Sequence, residues 1–439
     1  MDNEIMENGE FLEQREQSQA RLVYAESRQN WEKPMKSFVI IGVTDNSQPF
    51  FTPEVLDIIK KGKVFSGGKR HHEIVKDLLP EGYKWIDITV PLSSVFAQYE
   101  EYYNSHKIGR SQFSIIVFAS GDPLFFGFAN TILREMPDAE IKLFPSFNSL
   151  QTLAHRILMP YHNMRIVSLT GRPWHEFDKA LIERAPKMGV LTDNKEHTPA
   201  SIAQRMLDYG YDQYQMWVGE HLGNPEKERI TQLTLAEAAQ QSFDNPNCLI
   251  LQVTHTKPRI FGIPDEQFAI LEGRPRMITK APIRLLSLQA LDLYQRHTLW
   301  DIGFCTGSVS IEAKLQFPHL EVVSFEVREE GKELMRINSQ RFGTPGITAL
   351  IGDFLKQDLN NLPRPDAVFI GGHNGQLSSM LERIKSVLLP GGCVVFNSVS
   401  QESQQAFKQQ AEEIGFTLQP SMHVTLNDFN PIEIIKATL

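Results

Sequence analysis

Four short segments near the carboxyl end of the chain carry residues able to hold a nucleotide. Residues 299–317, "LWDIGFCTGSVSIEAKLQF", read as the end of a buried strand, a tight turn from Gly303 to Gly307 with Cys305 at its centre, and a helix opening at Ser308. Glycines there let backbone approach a ligand closely. Glu326 ends the next strand-like run, about 20 residues on, where a carboxylate can accept both hydroxyl protons of a ribose. Asp353 follows the next run and can receive an adenine amino group, and "GGHNG" (371–375) follows a fourth. Together, in this order, they describe a site for an adenosine-bearing ligand; any one alone is an ordinary turn or strand end. The spacing G-x-x-x-G behind Asp301 differs from the G-x-G-x-x-G that a nicotinamide dinucleotide would prefer. His373 and Asn374 are candidates for positioning a substrate, with a cap or turn role as the alternative.

A second set lies toward the amino end. In "VFASGDPLFFG" (117–127) a strand ends at Gly121, Asp122 follows, Pro123 is placed to start a helix, and Gly127 permits close packing. Gly42, "GGKRHHE" (67–73), "SFNSLQ" (146–151), "SLTGR" (168–172) and "GEHLGNPEKERI" (219–230) accompany it. Lys69 and Arg70 read as anion contacts or as a solvated loop. His71 and His72 are adjacent, so their side chains diverge and make a poor chelate.

Strands must present these loops. "SFVIIGVTD" gives a strand over 38–41 broken by Gly42, and strand-like runs follow in "KWIDITV", "FSIIVFAS", "IKLFPS", "MRIVSLT", "MGVLTD", "YQMWVGE" and "NCLILQVT". Helix-like stretches separate most of them; "TPASIAQRMLDYG" opens with Thr198 as N-cap and Pro199 at the first helical position. The alternation predicts an α/β domain, with mostly parallel pairing, over 36–255. Residues 256–280, rich in Pro, Gly and charge, read as a linker. A second α/β run fills 281–439 with strands in "TLWDIG", "EVVSFEV", "ITALIGD", "PDAVFIGG" and "GCVVFNSV". Two further strands joined through "NDFNP" give an antiparallel edge on an otherwise parallel sheet. Residues 1–35 read as a polar extension.

At 439 residues the chain exceeds one ordinary core. Its net charge of −9 argues against nucleic acid as the main partner. Cys248, Cys305 and Cys393 are too scattered for a disulfide framework or thiolate zinc site, which fits a reducing cytoplasm. No apolar run approaches the roughly 20 residues that span a bilayer. The sequence holds no cluster with metal-ligand spacing, so no metal is expected.

The loop behind Asp301 resembles the first motif of class I S-adenosylmethionine-dependent methyltransferases, usually D-x-G-x-G-x-G, with Cys305 at the central glycine. The amino-terminal segments, in their order, resemble the tetrapyrrole methylase family, in the subgroup acting at carbon 5 of the corrin precursor. Here "GVTDN" keeps only Gly42 of that family's G-x-G-P-G turn, and Ser146 and Asn148 stand where it often has Gly and Ser. With "GIPDEQF" and "MITKAPIR" at the junction, residues 37 to the end resemble the two-domain decarboxylating methyltransferases of cobalamin (vitamin B12) biosynthesis. That resemblance implies a Rossmann-like second domain and S-adenosyl-L-methionine as the cofactor of both halves. It places Gly42, Gly121, Asp122 and Thr170 at one cofactor site and Thr279, Gly303, Cys305, Gly307, Glu326 and Asp353 at the other. It implies methylation at carbons 5 and 15 of a carboxylate-rich tetrapyrrole, with loss of the carbon-12 acetate carboxylate. Lys69, Arg70 and Arg172, and in the second half Arg274, Arg276, Lys280 and Arg284, would meet those carboxylates. Relatives of both halves self-associate, so a homo-oligomer is expected. An RNA methyltransferase and a corrinoid-binding protein with decayed cofactor sites are the rival readings.

Overall fold

The computed structural model describes residues 36–46, 49–105, 114–427 and 430–439; the extension expected over 1–35 lies outside them. The chain forms two compact units, one of residues up to 159 with 220–229, the other of 160–219 with 230–439.

In the first unit, β1 (Ser37–Val43), β2 (Val64–Gly67), β3 (Lys84–Asp87), β4 (Ile115–Ser120) and β5 (Glu140–Phe144) form a sheet in the order β3-β2-β4-β1-β5. Its strands pair in parallel. Phe38, Ile40 and Val117 pack on one face with Tyr99, and Ile41, Phe65 and Phe118 on the other. This double burial explains why β1 and β4 read as continuous apolar runs.

Two local expectations need correction. Gly42 does not break β1, which runs on to Val43. The glycine instead admits a neighbouring backbone, since a Cβ there would lie 1.9 Å from the Gly121 carbonyl oxygen and 2.6 Å from the Ser146 nitrogen. Pro123 does not start the helix after β4; that helix is Phe128–Glu135, capped by Gly127. Left-handed residues at Gly121 (φ +56°) and Phe126 (φ +54°) fold 121–127 into turns first.

The second unit carries two sheets. β6 (Arg165–Ser168), β7 (Lys187–Leu191), β8 (Tyr214–Glu220), β9 (Arg229–Thr234) and β10 (Asn247–Val253) are ordered β6-β7-β10-β8-β9. This sheet is mixed: β6 and β7 are parallel, β7 and β10 antiparallel. Between β7 and β8, the Thr198 hydroxyl caps the helix Pro199–Asp208 at the Ser201 amide, 3.2 Å away. The remaining strands are β11 (Thr298–Ile302), β12 (Glu321–Glu326), β13 (Ile347–Ile351), β14 (Ala367–Ile370), β15 (Cys393–Ser398), β16 (Thr417–Leu418), β17 (Met422–Val424) and β18 (Ile432–Thr438). Their order is β13-β12-β11-β14-β15-β18-β16, with β17 on β18. Strands β11 to β15 pair in parallel and β18 lies antiparallel on β15. The order reverses at β11, which is flanked by β12 and β14, so a crevice opens at its carboxyl end.

Residues 256–280 are packed, not free-running. Ile263 and Phe268 are buried with Ile311, Leu315, Met335 and Phe342. Arg284, expected as a cation for substrate, is instead wholly buried. Its guanidinium lies 3.3 Å from Glu312 and from Asp265, and donates to the carbonyls of Thr279 (2.9 Å) and Ile263. Glu312 in turn accepts the amides of Gly262 and Ile263, both at 2.9 Å. A buried charge persists only when paired and hydrogen-bonded in this way.

Candidate functional site

The turn after β11 is held by the end of β12. Gly303 (φ +81°) donates its amide to the Phe325 carbonyl at 2.7 Å, and Cys305 donates its own to Glu326 Oε2 at 2.9 Å. The other oxygen of Glu326 accepts the Arg328 amide and guanidinium, each at 3.0 Å. Glu326 is only 2% exposed, so its carboxylate is fixed against the turn. Cys305 (φ +49°) directs its thiol to the Met277 carbonyl, 3.2 Å away, and burial with the nearby Glu326 charge pushes that thiol up. Beneath the turn Asp301 is 1% exposed; its Oδ2 accepts the Ser310 hydroxyl (2.5 Å) and amide (3.2 Å). Burial pushes its carboxyl up to about 7.

A cavity of about 520 Å³ opens beside this turn. Gly303, Phe304, Cys305 and Thr306 form one wall, and Thr279 and Lys280 another; Asn397 and Ser398 at the end of β15 complete it with apolar Val424, Leu426 and Ile432. Arg276 is exposed and also reaches it. Two buried polar atoms on its walls, Thr306 Oγ1 and Asn397 Oδ1, have no hydrogen-bond partner among the described residues. Such atoms are uncommon in proteins, and each calls for a partner such as a water, an ion or a ligand group.

Thr279, Gly303 and Cys305, singled out from sequence, therefore share this cavity, with Glu326 bonded to its wall. Gly307, Asp353, His373 and Asn374 do not line it. Asp353 caps the short turn Phe354–Lys356 at the Leu355 amide (3.0 Å). His373 Nδ1 accepts the Gly375 amide at 3.2 Å, its ring lies edge-on to Phe396, and burial lowers its pKa. Asn374 is exposed, at φ +45°. Sequence reasoning missed Asn397 and the Val424–Ile432 side of the cavity; the one available signal was a pair of polar residues, Asn397 and Ser398, ending an apolar strand.

In the first unit, Gly42, Gly121 and Asp122 meet where β1 and β4 end. Gly121 donates to the Val43 carbonyl at 2.7 Å, and Asp122 Oδ1 accepts the Leu124 amide at 2.9 Å. Arg70 reaches Ser120 Oγ at 2.8 Å and pairs with Asp45 at 3.3 Å, while Lys69 is exposed. Asp45 belongs to the "VTDN" turn and also contacts His221 at 3.2 Å. His71 and His72 do diverge, the first to Ser120 (2.9 Å), the second to Tyr83 (2.7 Å) and onto the Trp85 ring. Burial, helped by Arg70, brings His71 down to about 4. Thr170 and Arg172 lie in the second unit, where Thr170 Oγ1 donates to the Thr192 carbonyl (2.9 Å) and Arg172 to Ser168 (2.9 Å).

Two family models match the chain: tetrapyrrole (corrin/porphyrin) methylases over residues 37–239, and a precorrin methyltransferase domain over residues 273–433. The chain is 28% identical over 384 residues to a precorrin-6Y C(5,15)-methyltransferase (decarboxylating) of Sinorhizobium sp, covering 86% of this chain and 88% of that one. It is 34% identical over 168 residues to the cobalt-precorrin-6B C(15)-methyltransferase (decarboxylating) of Salmonella typhimurium, covering 38% of this chain and 85% of that one. A crystal structure of a precorrin-6Y C5,15-methyltransferase from Geobacter metallireducens GS-15 is 29% identical, covers 41% of this chain and 98% of its own, and superposes with a TM-score of 0.38. Among the described residues no helix is long and apolar enough to cross a membrane.

Proposed function

The chain belongs to the decarboxylating precorrin methyltransferase family, and on that premise we propose that it methylates a corrin precursor, precorrin-6Y or its cobalt form, at carbons 5 and 15. The same enzyme removes the carboxylate of the carbon-12 acetate, a step of cobalamin biosynthesis. Residues 36–255 carry the first transfer; residues 281–439 carry the second together with decarboxylation. The observation that bears most weight is the cavity of about 520 Å³ beside the Gly303 turn, with Cys305 turned aside to Met277 and two polar atoms left unpartnered on its walls.

S-adenosyl-L-methionine, when bound, supplies a methyl group on a good leaving group. In the second half Gly303, Cys305 and Thr279 would hold it, with Glu326 and Asp353 at its ribose and adenine; in the first unit, Gly42, Gly121 and Asp122 would. The chain's own task is to orient. Fixing the acceptor carbon in line with the methyl group can supply about 7–11 kcal/mol of barrier lowering. Lys69 and Arg70 in the first unit, and Arg276 and Lys280 in the second, meet the substrate's carboxylates. His373 and Asn374, in the loop after β14 whose Gly371 lines the cavity, are the proposed contacts for the ring. The apolar Val424, Leu426 and Ile432 exclude water where carbon dioxide leaves. We also propose a cytoplasmic homo-oligomer acting on a small molecule, with no nucleic acid as partner, in line with the net charge of −9.

The test is mass analysis of products from cobalt-free and cobalt-containing substrate side by side. Two methyl groups gained and one carbon dioxide lost support the reading. Absence of any transfer, with no nucleotide bound by calorimetry, removes it.

A further inference from the structure

The orientation of one amide on the cavity wall follows from counting protons. Ser287, on the helix Ala281–Leu291, gives its hydroxyl proton to the Ile283 carbonyl at 2.7 Å. A hydroxyl has a single proton. Toward Asn397, also 2.7 Å away, Ser287 Oγ can therefore only accept. Asn397 must turn its NH2 group to Ser287 and its carbonyl oxygen to the other side. The opposite orientation would set two acceptors face to face. The oxygen so presented is the one that is buried without a donor among the described residues, on a residue lining the cavity.

We infer that Asn397 Oδ1 receives an N–H donor of the bound ligand and thereby positions it for the second methyl transfer, an inference that rests on the function proposed above. The substrate's peripheral carboxylates, ionised at neutral pH, only accept hydrogen bonds and cannot satisfy this oxygen. Two ligand groups can: the α-ammonium of the sulfonium nucleotide, or a ring N–H of a macrocycle without its metal. Val424, Leu426 and Ile432 on the same cavity keep competing water away, which strengthens such a bond.

The experiment uses the full-length enzyme with Asn397→Leu, Asn397→Asp and Ser287→Ala. Asn397→Leu removes the acceptor at similar size; Asn397→Asp keeps it; Ser287→Ala frees the amide to rotate. Titration calorimetry with S-adenosylhomocysteine is paired with kcat and KM for the second methylation. If the donor is the ammonium, Asn397→Leu weakens S-adenosylhomocysteine at one of two sites about tenfold. If it is the ring, nucleotide affinity holds while KM for cobalt-free substrate rises about tenfold and that for cobalt-containing substrate does not. Asn397→Asp retains more binding than Asn397→Leu, and Ser287→Ala shows a smaller loss in the same parameter. The first methylation is unchanged in all three. Equal nucleotide affinity and equal KM in Asn397→Leu and the parent overturn the inference. Should Asn397→Leu fail to fold, unchanged values in Ser287→Ala overturn it instead. A parent enzyme that binds the nucleotide but never transfers a second methyl would sink the proposed function while leaving the calorimetric arm to judge Asn397.

Discussion

Asp301 and Glu326 are both buried beside the Gly303 turn, and they differ in their hydrogen-bond partners. Asp301 has no cation among its hydrogen-bond partners, and burial raises its carboxyl to about 7. An unfolded aspartate loses its proton near pH 4. Between about pH 4 and 7 the unfolded chain therefore releases a proton that native Asp301 keeps, and stability falls as pH rises through that window. Below it both states are protonated and the effect is absent. Asp301→Asn should remove this component, so the change in unfolding free energy between pH 4.5 and 7.5 becomes more favourable to the high-pH end than in the parent. Identical slopes in denaturant titrations would contradict the assignment. Glu326 is different, because three donors already bind it. Glu326→Ala releases the Cys305 amide and removes the ribose acceptor, so S-adenosylhomocysteine binding at that site should be lost, whereas Glu326→Gln, keeping one acceptor, should lose less. Glu326 was legible in sequence because a carboxylate ending an apolar strand stands out. Asn397 was not, since its significance lies in a proton count involving Ser287, 110 residues away.

Among the elements, the strands buried on both faces were readable and the marginal ones were not. β1, β4 and β14 announced themselves as apolar runs, while β2 (VFSG) and β9 (RITQLT) are short or partly polar and went unseen. Local propensity speaks only of turns and helix starts: left-handed Gly121 and Phe126 overrode it at Pro123, and contact with the distant Gly121 and Ser146 backbone overrode it at Gly42. The same contact gives a test. Gly42→Ala should destabilise the first unit by about 1–3 kcal/mol or more, through overpacking against Gly121 rather than through backbone strain. Gly171, at φ +63° with open space for 4 Å around the point a methyl group would occupy, has the reverse problem, and Gly171→Ala should cost about 1–2 kcal/mol from its left-handed backbone alone. Thermal unfolding of the two variants measures the contrast; a milder effect at Gly42 than at Gly171 would refute it.

For the whole molecule, the order of two nucleotide-type loops in one chain was visible in sequence, while the walls of the cavity beside the Gly303 turn, built from segments as distant as Thr279 and Ile432, were not. If each half performs its own transfer, Asp122→Ala should abolish one methylation and Glu326→Ala the other, each yielding a singly methylated product by mass spectrometry. Loss of both methyl groups from either change alone would mean that the halves do not act separately. The buried Arg284 has a practical corollary for anyone dividing the gene to express two polypeptides. A break within residues 266–280 would tear Ile263 and Asp265 from Arg284 and leave that buried guanidinium with Glu312 as its one remaining carboxylate among the described residues. Placed at the exposed residues 254–256, the break lets the carboxyl-terminal piece inherit its whole counter-charge set.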